Sequence, residues 1–378
     1  MKKHAVKWLV PFLKYGIGFG LLGLIISKYW DPKTTTKTDP ATGLEKTLVT
    51  PGIGELLQGS IEFEWLAAAA LLMATAAALQ IYRWYLLVRA LDLPFTVRNA
   101  YRLSLVGIFY NTFIPGSVGG DLVKAYFIAH AHPERKSRAI ASVIADRALG
   151  LFGLILFVAV LGSIAWAGGD TRIVANPDLQ RIVKIMAGIA GTSMAGFLLL
   201  GFLPQRRVDR FASRLKWVPK LGNSLSEMWY AVWEYRQRLK VVAIGVALSA
   251  VSHFGLVFAF HSASRVFQPP RELAPTELAT LSEHMVIAPI GFIAQAIPIT
   301  PGGVGVAEGV FAWLYNLSDR PEARGATARL SLRLVEWLIA LTGYIVYLRM
   351  RAEVREVQHE VEEDEAKKQG TPNGERGP

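Results

Sequence analysis

The chain contains the stretch Asn111-Thr-Phe-Ile-Pro-Gly-Ser-Val-Gly-Gly-Asp121, which interrupts apolar sequence with helix breakers and ends in an acid. A second copy follows in the other half of the chain, Pro298-Ile-Thr-Pro-Gly-Gly-Val-Gly-Val-Ala-Glu308. Both stretches contain the core Pro-Gly-x-Val-Gly. Each is followed at the same distance by an arginine, Arg147 in the first copy and Arg333 in the second. This doubling predicts two related structural units that carry the same kind of site.

The composition places the chain among membrane proteins. Of its 378 residues, 52% are hydrophobic and 19% are charged, whereas soluble domains are close to a quarter charged. Several apolar runs approach the length of about 20 residues that a helix needs to cross a bilayer. We therefore predict an all-α polytopic membrane protein. The net charge of +11 is typical of cytoplasmic loops near anionic lipid and does not require a nucleic acid partner.

Several classes of chemistry are excluded or unsupported by the sequence. The chain has no cysteine, which excludes disulfides, thiolate metal sites and cysteine nucleophiles. It contains no phosphate-binding Walker loop, nucleophile elbow, zinc-protease helix or dinucleotide motif. His253 and His261 have no carboxylates at ligand spacing, so packing is the expected role. The sequence therefore predicts no metal and no cofactor, and it identifies no catalytic residue.

The apolar runs and the basic residues between them predict the topology. The six full spans are expected at about residues 6–26, 65–88, 139–167, 182–203, 241–263 and 330–348. Basic residues precede the first span and follow the last, which predicts a cytoplasmic N-terminus and C-terminus. Residues 30–60 are expected to form an external loop with an interfacial helix at 53–63, and residues 352–378 a disordered, charged cytoplasmic tail.

Shorter apolar segments flank each motif and are too short to be confident spans. They cover residues 100–113 and 122–131 around the first motif, and 278–297 and 310–317 around the second. Basic residues lie on both sides of the first pair, whereas weakly charged segments flank the second pair. We therefore predict two re-entrant helical hairpins, the first entered from the cytoplasm and the second from outside. Such hairpins are tolerated where protein or a water-filled cavity satisfies their backbone.

These elements predict an inverted-topology repeat within one transmembrane domain, residues 1–351. Its units cover about residues 65–167 and 241–349, and the span 182–203 with the basic loop 204–240 links them. Sites in such repeats lie near the membrane midplane, at broken helices. The alternative is that Pro-Gly-x-Val-Gly recurs by chance in a chain with 34 glycines.

The two motifs and the charged residues near them are the predicted substrate-binding site. Glycine and proline break helices and leave backbone N–H groups that attract anions. An arginine at a span centre costs about 2.5–3.5 kcal/mol on insertion scales, so Arg147 and Arg333 need partners or water. The predicted binding residues are Asn111, Pro115, Gly116, Gly119, Gly120, Asp121, Lys124, Arg147, Pro301, Gly302, Gly303, Gly305, Glu308 and Arg333.

Two interpretations of these charges remain open. In the functional one, the arginines bind a phosphate-bearing headgroup through forked hydrogen bonds, and Lys124 meets the same phosphate. In the structural one, the arginines form buried salt bridges with Asp121 and Glu308 that lock the hairpins, and Lys124 snorkels. The polar pair Glu283-His284 is likewise either a proton-linked element or an anchor for the second hairpin.

The motif set resembles the lysylphosphatidylglycerol synthase transmembrane-region family, also called the flippase-like domain family. The resemblance covers about residues 6–351 and rests on the two motifs, on Asp146-Arg147 with Gly150, and on Glu308-Gly309. It implies a bacterial or archaeal cytoplasmic (inner) membrane protein that flips a modified phospholipid or acts in polyprenyl-linked or hopanoid lipid metabolism. Bifunctional members carry a soluble aminoacyl-transferase domain, whereas a short charged tail follows here, so lysyl transfer is not implied.

The expected function is that of a lipid flippase without its own ATPase. Asp121, Arg147, Glu308 and Arg333 would line a central polar cavity for the headgroup of an anionic phospholipid or a lipid-linked intermediate. A homo-oligomer or an envelope enzyme partner fits the same picture. The alternatives are a membrane-embedded transferase, for which Asp121, Glu283 or Glu308 would be the general base, and a non-catalytic envelope scaffold.

Overall fold

The computed structural model of the chain describes residues 2–38, 45–113, 119–170, 174, 176–218, 222–269, 278–297 and 299–370. Helices dominate this part of the chain. They are α1 (Lys2–Lys28), α2 (Ile53–Gln58), α3 (Phe63–Ala90), α4 (Val97–Phe113), α5 (Gly120–His130), α6 (Lys136–Ala167), α7 (Pro177–Leu200), α8 (Gln205–Leu215), α9 (Gly222–Gln237), α10 (Leu239–Ala263), α11 (Leu281–Gln295), α12 (Val306–Leu317) and α13 (Glu322–Gly370). Short 3₁₀ turns at Pro133–Arg135 and Pro301–Gly303 precede α6 and α12.

Among the described residues, five helices are long and apolar enough to cross a membrane. Their spans are Phe63–Ala90, Pro133–Ala167, Pro177–Leu200, Leu239–Ala263 and Glu322–Met350. The prediction of an all-α, multi-pass membrane protein is therefore confirmed. The remaining expected span, residues 6–26, lies within α1. The apolar part of this helix, Tyr15–Lys28, is shorter than the five spans above.

Local sequence explains where several helices begin. Asn176 caps α7 because its side-chain oxygen accepts hydrogen bonds from the backbone N–H groups of Asp178 and Leu179, with Pro177 at the first helical position. Thr280 and Glu283 form a reciprocal capping box at the start of α11. The last helix continues to Gly370, into the segment for which the sequence predicts disorder.

Two segments that the sequence predicts to be loops, residues 30–60 and 204–240, contain strands and helices in the structure. Strands β1 (Lys33–Thr38) and β2 (Glu45–Thr50) pair antiparallel within the polar segment 30–60. Within the segment where a helix is expected at 53–63, the structure has α2, whose Ile53 and Leu56 are buried and whose Leu57 is exposed. The basic segment 204–240 contains the helices α8 and α9.

Helices α4 and α5 pack against each other, as do α11 and α12, and each pair also contacts a helix from the other half of the chain. Helix α4 contacts α5 and α3 and also α13 of the other half, while α11 contacts α12 and α10 and also α6. Helices α3 and α10 lie against each other along the centre. Two strands, β3 (Ser60–Ile61) and β4 (Phe267–Gln268), pair where α3 begins and α10 ends.

Candidate functional site

The first hairpin is held together by direct backbone packing. A Cβ atom on Gly120 would lie 1.8 Å from the carbonyl oxygen of Gly107, so glycine is required where α5 crosses α4. Asn111, near the end of α4, accepts a hydrogen bond from the Gly120 N–H through Oδ1 at 2.6 Å. This side chain therefore satisfies one of the free N–H groups at the start of α5. Pro115 and Gly116, predicted in the same site, lie outside the described residues.

The second motif folds as a glycine turn in front of α12. Gly302, Gly303 and Gly305 have φ angles of 57°, 67° and 79°, values that favour glycine because side chains crowd the backbone there. Arg333 donates hydrogen bonds to the carbonyl oxygens of Gly302 at 3.0 Å and of Gly303 at 3.1 Å. Glu308 accepts a hydrogen bond from the Gly305 N–H at 2.7 Å. The charged pair thus holds both ends of the turn that Pro301 begins.

The two motifs meet at the hairpin tips. A Cβ atom on Gly302 would lie 4.0 Å from the carbonyl oxygen of Asn111 and 3.8 Å from the guanidinium of Arg333. Helix α4 also contacts the 3₁₀ turn of the second motif. The sequence predicted that both stretches contribute to one region, and this contact joins them.

The ion pair of the second motif is sealed. Arg333 Nε lies 2.6 Å from Glu308 Oε1, and the two side chains are 3% and 0% exposed. Helix α1 covers the motif, since Gly18 packs on Thr300 and Val304, and Gly305 approaches the carbonyl oxygen of Gly18. The predicted pairing therefore forms, with both charges and their hydrogen bonds satisfied inside the protein.

The ion pair of the first motif has the same chemistry and is open. Arg147 Nε lies 2.7 Å from Asp121 Oδ2, and a second nitrogen donates to Asp121 Oδ1 at 2.7 Å, which is the forked geometry. The side chains are 61% and 35% exposed. Both arginines lie at the same distance from the starts of their helices, α6 and α13. The two pairs are thus equivalent in position and differ in access.

Lys124 adds a positive charge beside the open pair. It follows Asp121 by one turn of α5, its side chain is 9% exposed, and its ammonium lies 4.2 Å from the centre of the Trp84 ring. This is a cation–π contact. Within the described residues, Lys124 makes no ion pair. Asp121 and Asp146 lie within electrostatic reach of its ammonium, as do Arg147 and Arg83.

A third charged pair was missed by sequence reasoning. Arg83 of α3 lies with its Nε 2.8 Å from Asp146 Oδ1, and it also donates to Ser249 Oγ of α10 at 2.7 Å. Both charged side chains are buried. In the sequence Arg83 stands among aromatic residues, Tyr82, Trp84 and Tyr85, a pattern that is typical of a membrane interface. The sequence signal for the role of Arg83 is Asp146, because an acid within an apolar span needs a cation as its partner. Arg147, which follows Asp146, faces another side of the helix and pairs with Asp121. The cluster Arg83, Lys124, Arg147, Asp121 and Asp146 carries one net positive charge.

The other acidic candidates are engaged in structural contacts. Glu283 accepts hydrogen bonds from Arg320 at 2.8 Å and from the backbone of Thr280 at 2.5 Å. His284 lies 2.6 Å from the Tyr315 hydroxyl, and its Nδ1 lies 2.8 Å from that of His261. Of the three general-base candidates from the sequence, Glu283 and Glu308 are buried. Asp121 is the accessible one.

Gly119 is the residue that caps the start of α5, and its backbone is extended. A Cβ atom built on Gly119 would have Asn111 Oδ1 as its nearest neighbour, at 3.4 Å, so this position has room for a side chain.

The described site therefore consists of the open cluster around Arg147, the sealed pair around Arg333, and the glycine turn of the second motif. The open cluster offers a forked cation, Arg147, and a second cation, Lys124. These groups suit an anion that carries several oxygen atoms.

Sequence comparisons agree with this architecture. Two proteins of Methanothermobacter thermautotrophicus, each described as a UPF0104 membrane protein, are 26% and 24% identical to the chain. The alignments cover 70% and 78% of this chain and 79% and 88% of the relatives. A UPF0104 membrane protein of Methanocaldococcus jannaschii is 20% identical over 77% of this chain and 86% of its own length. Residues 53–343 match the family described as the lysylphosphatidylglycerol synthase TM region, and the chain belongs to this family.

Proposed function

We propose that α3–α6 and α10–α13 form an inverted-topology repeat in which α4–α5 and α11–α12 are re-entrant hairpins. The packing supports the repeat because the contacts of one half have counterparts in the other. Helix α4 contacts α13 as α11 contacts α6, and α3 contacts α6 as α10 contacts α13. At about 1.5 Å per residue, the longest hairpin helix, α4, reaches about 25 Å, short of the bilayer core of about 30 Å.

The contacts between helix ends support the proposed sidedness, with both termini cytoplasmic and six spans including α1. Tyr29, after α1, hydrogen-bonds Glu322 at the start of α13, and β3 joins the start of α3 to β4 after α10. These ends would form the external face. At the other face, Arg238 before α10 pairs with Asp92 after α3, and Arg138 of α6 lies 3.7 Å from Glu234. The excess of arginine there fits the cytoplasm.

Single cysteines introduced into this cysteine-free chain test the sidedness. Asp178→Cys at the start of α7 is expected to react with an impermeant maleimide from outside intact cells, and Ser213→Cys in α8 only after permeabilisation. Labelling of both positions from one side would contradict the proposed topology.

The function that the site supports best is binding the phosphate-bearing headgroup of a membrane lipid and moving it between the leaflets of a prokaryotic cytoplasmic membrane. The observation that carries this proposal is the open Asp121–Arg147 pair beside Lys124. Arg147 lies about 16 Å into α6, at about 1.5 Å per residue. An accessible charge at such depth requires water or a polar ligand. One net positive charge in the cluster matches the single negative charge of a phosphodiester.

The difference in access between the two pairs supports a transport cycle. In an inverted repeat, exchanging the conformations of the two halves opens the site to the opposite side. Here the half with Asp121 and Arg147 is open, and the half with Glu308 and Arg333 is closed under α1. A transporter whose two halves exchange conformations is expected to have one open half and one closed half in each of its two end states.

Reconstitution in liposomes tests this function against the transferase alternative. The expected result is movement of a headgroup-labelled phospholipid between leaflets, with no new lipid species in the mass spectrum. Arg147→Gln should abolish the movement, whereas Arg181→Gln, which breaks an exposed Arg–Asp pair on α7, should preserve it. A new lipid species would contradict transport and support the transferase. Movement that is equal with and without the protein would contradict transport, and the additional absence of a new lipid species would contradict the transferase as well.

A further inference from the structure

The second charged surface of the molecule lies outside the repeat, on α8. This helix carries four arginines and one aspartate, and the four arginines Arg206, Arg207, Arg210 and Arg214 are all exposed. None of them has an ion-pair partner within the described part of the chain. The one acid, Asp209, accepts a hydrogen bond from the Tyr230 hydroxyl at 2.9 Å. The surface is therefore an uncompensated positive patch.

Three of these arginines converge on one groove. Arg207, Arg210 and Arg214 lie at helical spacing on one side of α8, where neighbouring turns stack. They line a groove of about 420 Å³ whose apolar walls are Leu203, Phe211 and Trp229. A lining of guanidinium groups and aromatic rings suits a ligand with both a phosphate and a hydrocarbon part.

The groove is held in a fixed shape by contacts between α8 and α9. Val208 and Ala212 are buried beneath α8. Trp229 of α9 donates its indole N–H to the Val208 carbonyl oxygen at 3.2 Å, and its ring centre lies 4.7 Å from that of Phe211. The arginines therefore project from a helix whose opposite face is anchored.

The position of α8 places this groove at the membrane boundary. The helix follows the end of the span α7 by a few residues. Large apolar side chains flank it at both ends and are highly exposed: Phe202 is 80% and Trp217 is 88% exposed. Exposed aromatic residues beside arginines at the end of a span are typical of the headgroup region of a bilayer. A water-soluble acidic partner does not suit this surface, because its binding would leave the rings of Phe202 and Trp217 in water.

We propose that the groove between α8 and α9 binds an anionic phospholipid of the surrounding leaflet, separately from the site at the hairpin tips. Arg207, Arg210 and Arg214 bind the phosphate and any further negative charge of the headgroup. Phe202 and Trp217 enter the boundary between headgroups and acyl chains, and the wall of Phe211 and Trp229 contacts the first part of an acyl chain. The site fixes α8 to the membrane surface beside the cytoplasmic ends of α7 and α10.

A quenching experiment in lipid nanodiscs reads this surface directly. A fluorophore attached to Ser213→Cys reports from the exposed side of α8, because Ser213 is exposed. The labelling is specific because the chain has no other cysteine. Brominated phosphatidylglycerol and brominated phosphatidylcholine are compared at equal mole fraction. The expected result is quenching by both lipids, with local enrichment of the anionic one by about five-fold for each arginine engaged. High salt should reduce this preference.

Two variants decide the outcome. Replacing Arg207, Arg210 and Arg214 together with glutamine should reduce the preference for the anionic lipid to about one. The matched control removes three exposed charges from the other ends of the spans, Lys28→Gln, Arg181→Gln and Lys184→Gln, and should keep the preference. Equal quenching by both lipids in the unmodified chain, no quenching by either, or a preference that survives the triple change on α8 would each overturn the proposal.

Discussion

Arg333 Nε and Glu308 Oε1 lie 2.6 Å apart in a part of the molecule that solvent does not reach, while the equivalent atoms of Arg147 and Asp121, 2.7 Å apart, remain accessible. The same pair of charges therefore has two roles in one protein. The sealed pair fixes the glycine turn before α12, because Arg333 also holds the carbonyl oxygens of Gly302 and Gly303. The open pair keeps both side chains exposed, as the proposed binding of a ligand requires.

The sealed pair is expected to contribute far more to stability than the open one. Glu308→Gln leaves Arg333 buried without a compensating charge, which costs about 3–5 kcal/mol of unfolding free energy. Asp121→Asn removes the partner of an accessible arginine and costs about 0–1 kcal/mol. Denaturant unfolding of the two variants in the same detergent measures the difference. Equal losses would show that access does not separate the two pairs.

Two adjacent glycines are expected to respond differently to alanine. Gly120→Ala places a methyl group 1.8 Å from the Gly107 carbonyl oxygen, so α4 and α5 must separate. Gly119→Ala meets its nearest atom at 3.4 Å and has a backbone conformation that alanine accepts. We expect loss of folded protein or a destabilisation of about 3 kcal/mol or more for the first change, and about 1 kcal/mol or less for the second. Size-exclusion profiles and thermal unfolding check this. A stable Gly120→Ala protein would contradict the close approach of the two helices.

Lys124 is expected to reduce stability and support binding. Its buried ammonium has the Trp84 ring in place of an ion-pair partner within the described residues. Lys124→Met keeps the apolar stem over Gly107 and removes the charge, so the unfolding free energy should rise by about 1–3 kcal/mol. Phospholipid affinity should fall at the same time. A variant that loses stability, or that binds phospholipid as tightly as before, would contradict the assigned role.

The loop between α3 and α4 gives an acid-dependent contribution to stability. A hydrogen bond from Arg238 holds the pKa of the Asp92 carboxyl below its ordinary value, and the charges of Arg135 and Arg138 act in the same direction. Because the folded pKa is the lower one, the stabilisation is complete above the ordinary value of about 3.9 and is lost as the pH falls through the folded pKa.

Asp92→Asn is the matched variant for this effect, since asparagine also accepts the positive φ of 54° at this position. The difference in stability between the unmodified chain and the variant should be constant from pH 7 to pH 5 and should shrink below about pH 4. Thermal unfolding over this range measures it. A difference that grows on acidification would reverse the assigned sign.

The sequence predicted the paired charges well because spacing in helices carries that information. Asp121 and Glu308 follow the glycines that begin α5 and α12, and the arginines lie at the same depth in α6 and α13, so each pair could be matched from residue numbers alone. The contact between Gly302 and Asn111 brings residues of both motifs together.

Other features depend on contacts that spacing does not encode. Arg83 pairs with Asp146 across two helices far apart in the chain, and an arginine beside aromatics has the same local pattern at an interface. The difference between the open and the sealed pair arises from α1, which lies outside the repeat and packs Gly18 against the second motif.

The proposed function depends above all on the participation of Arg147 in binding a lipid phosphate. Native mass spectrometry of the detergent-solubilised protein, titrated with a phosphodiester lipid and with diacylglycerol, measures this most directly. The account predicts saturable binding of the phosphodiester lipid, weakened by about tenfold or more in Arg147→Gln and unchanged in Arg181→Gln, with diacylglycerol bound weakly by all three proteins. Equal affinity of Arg147→Gln and the unmodified chain for the phosphodiester lipid would contradict it.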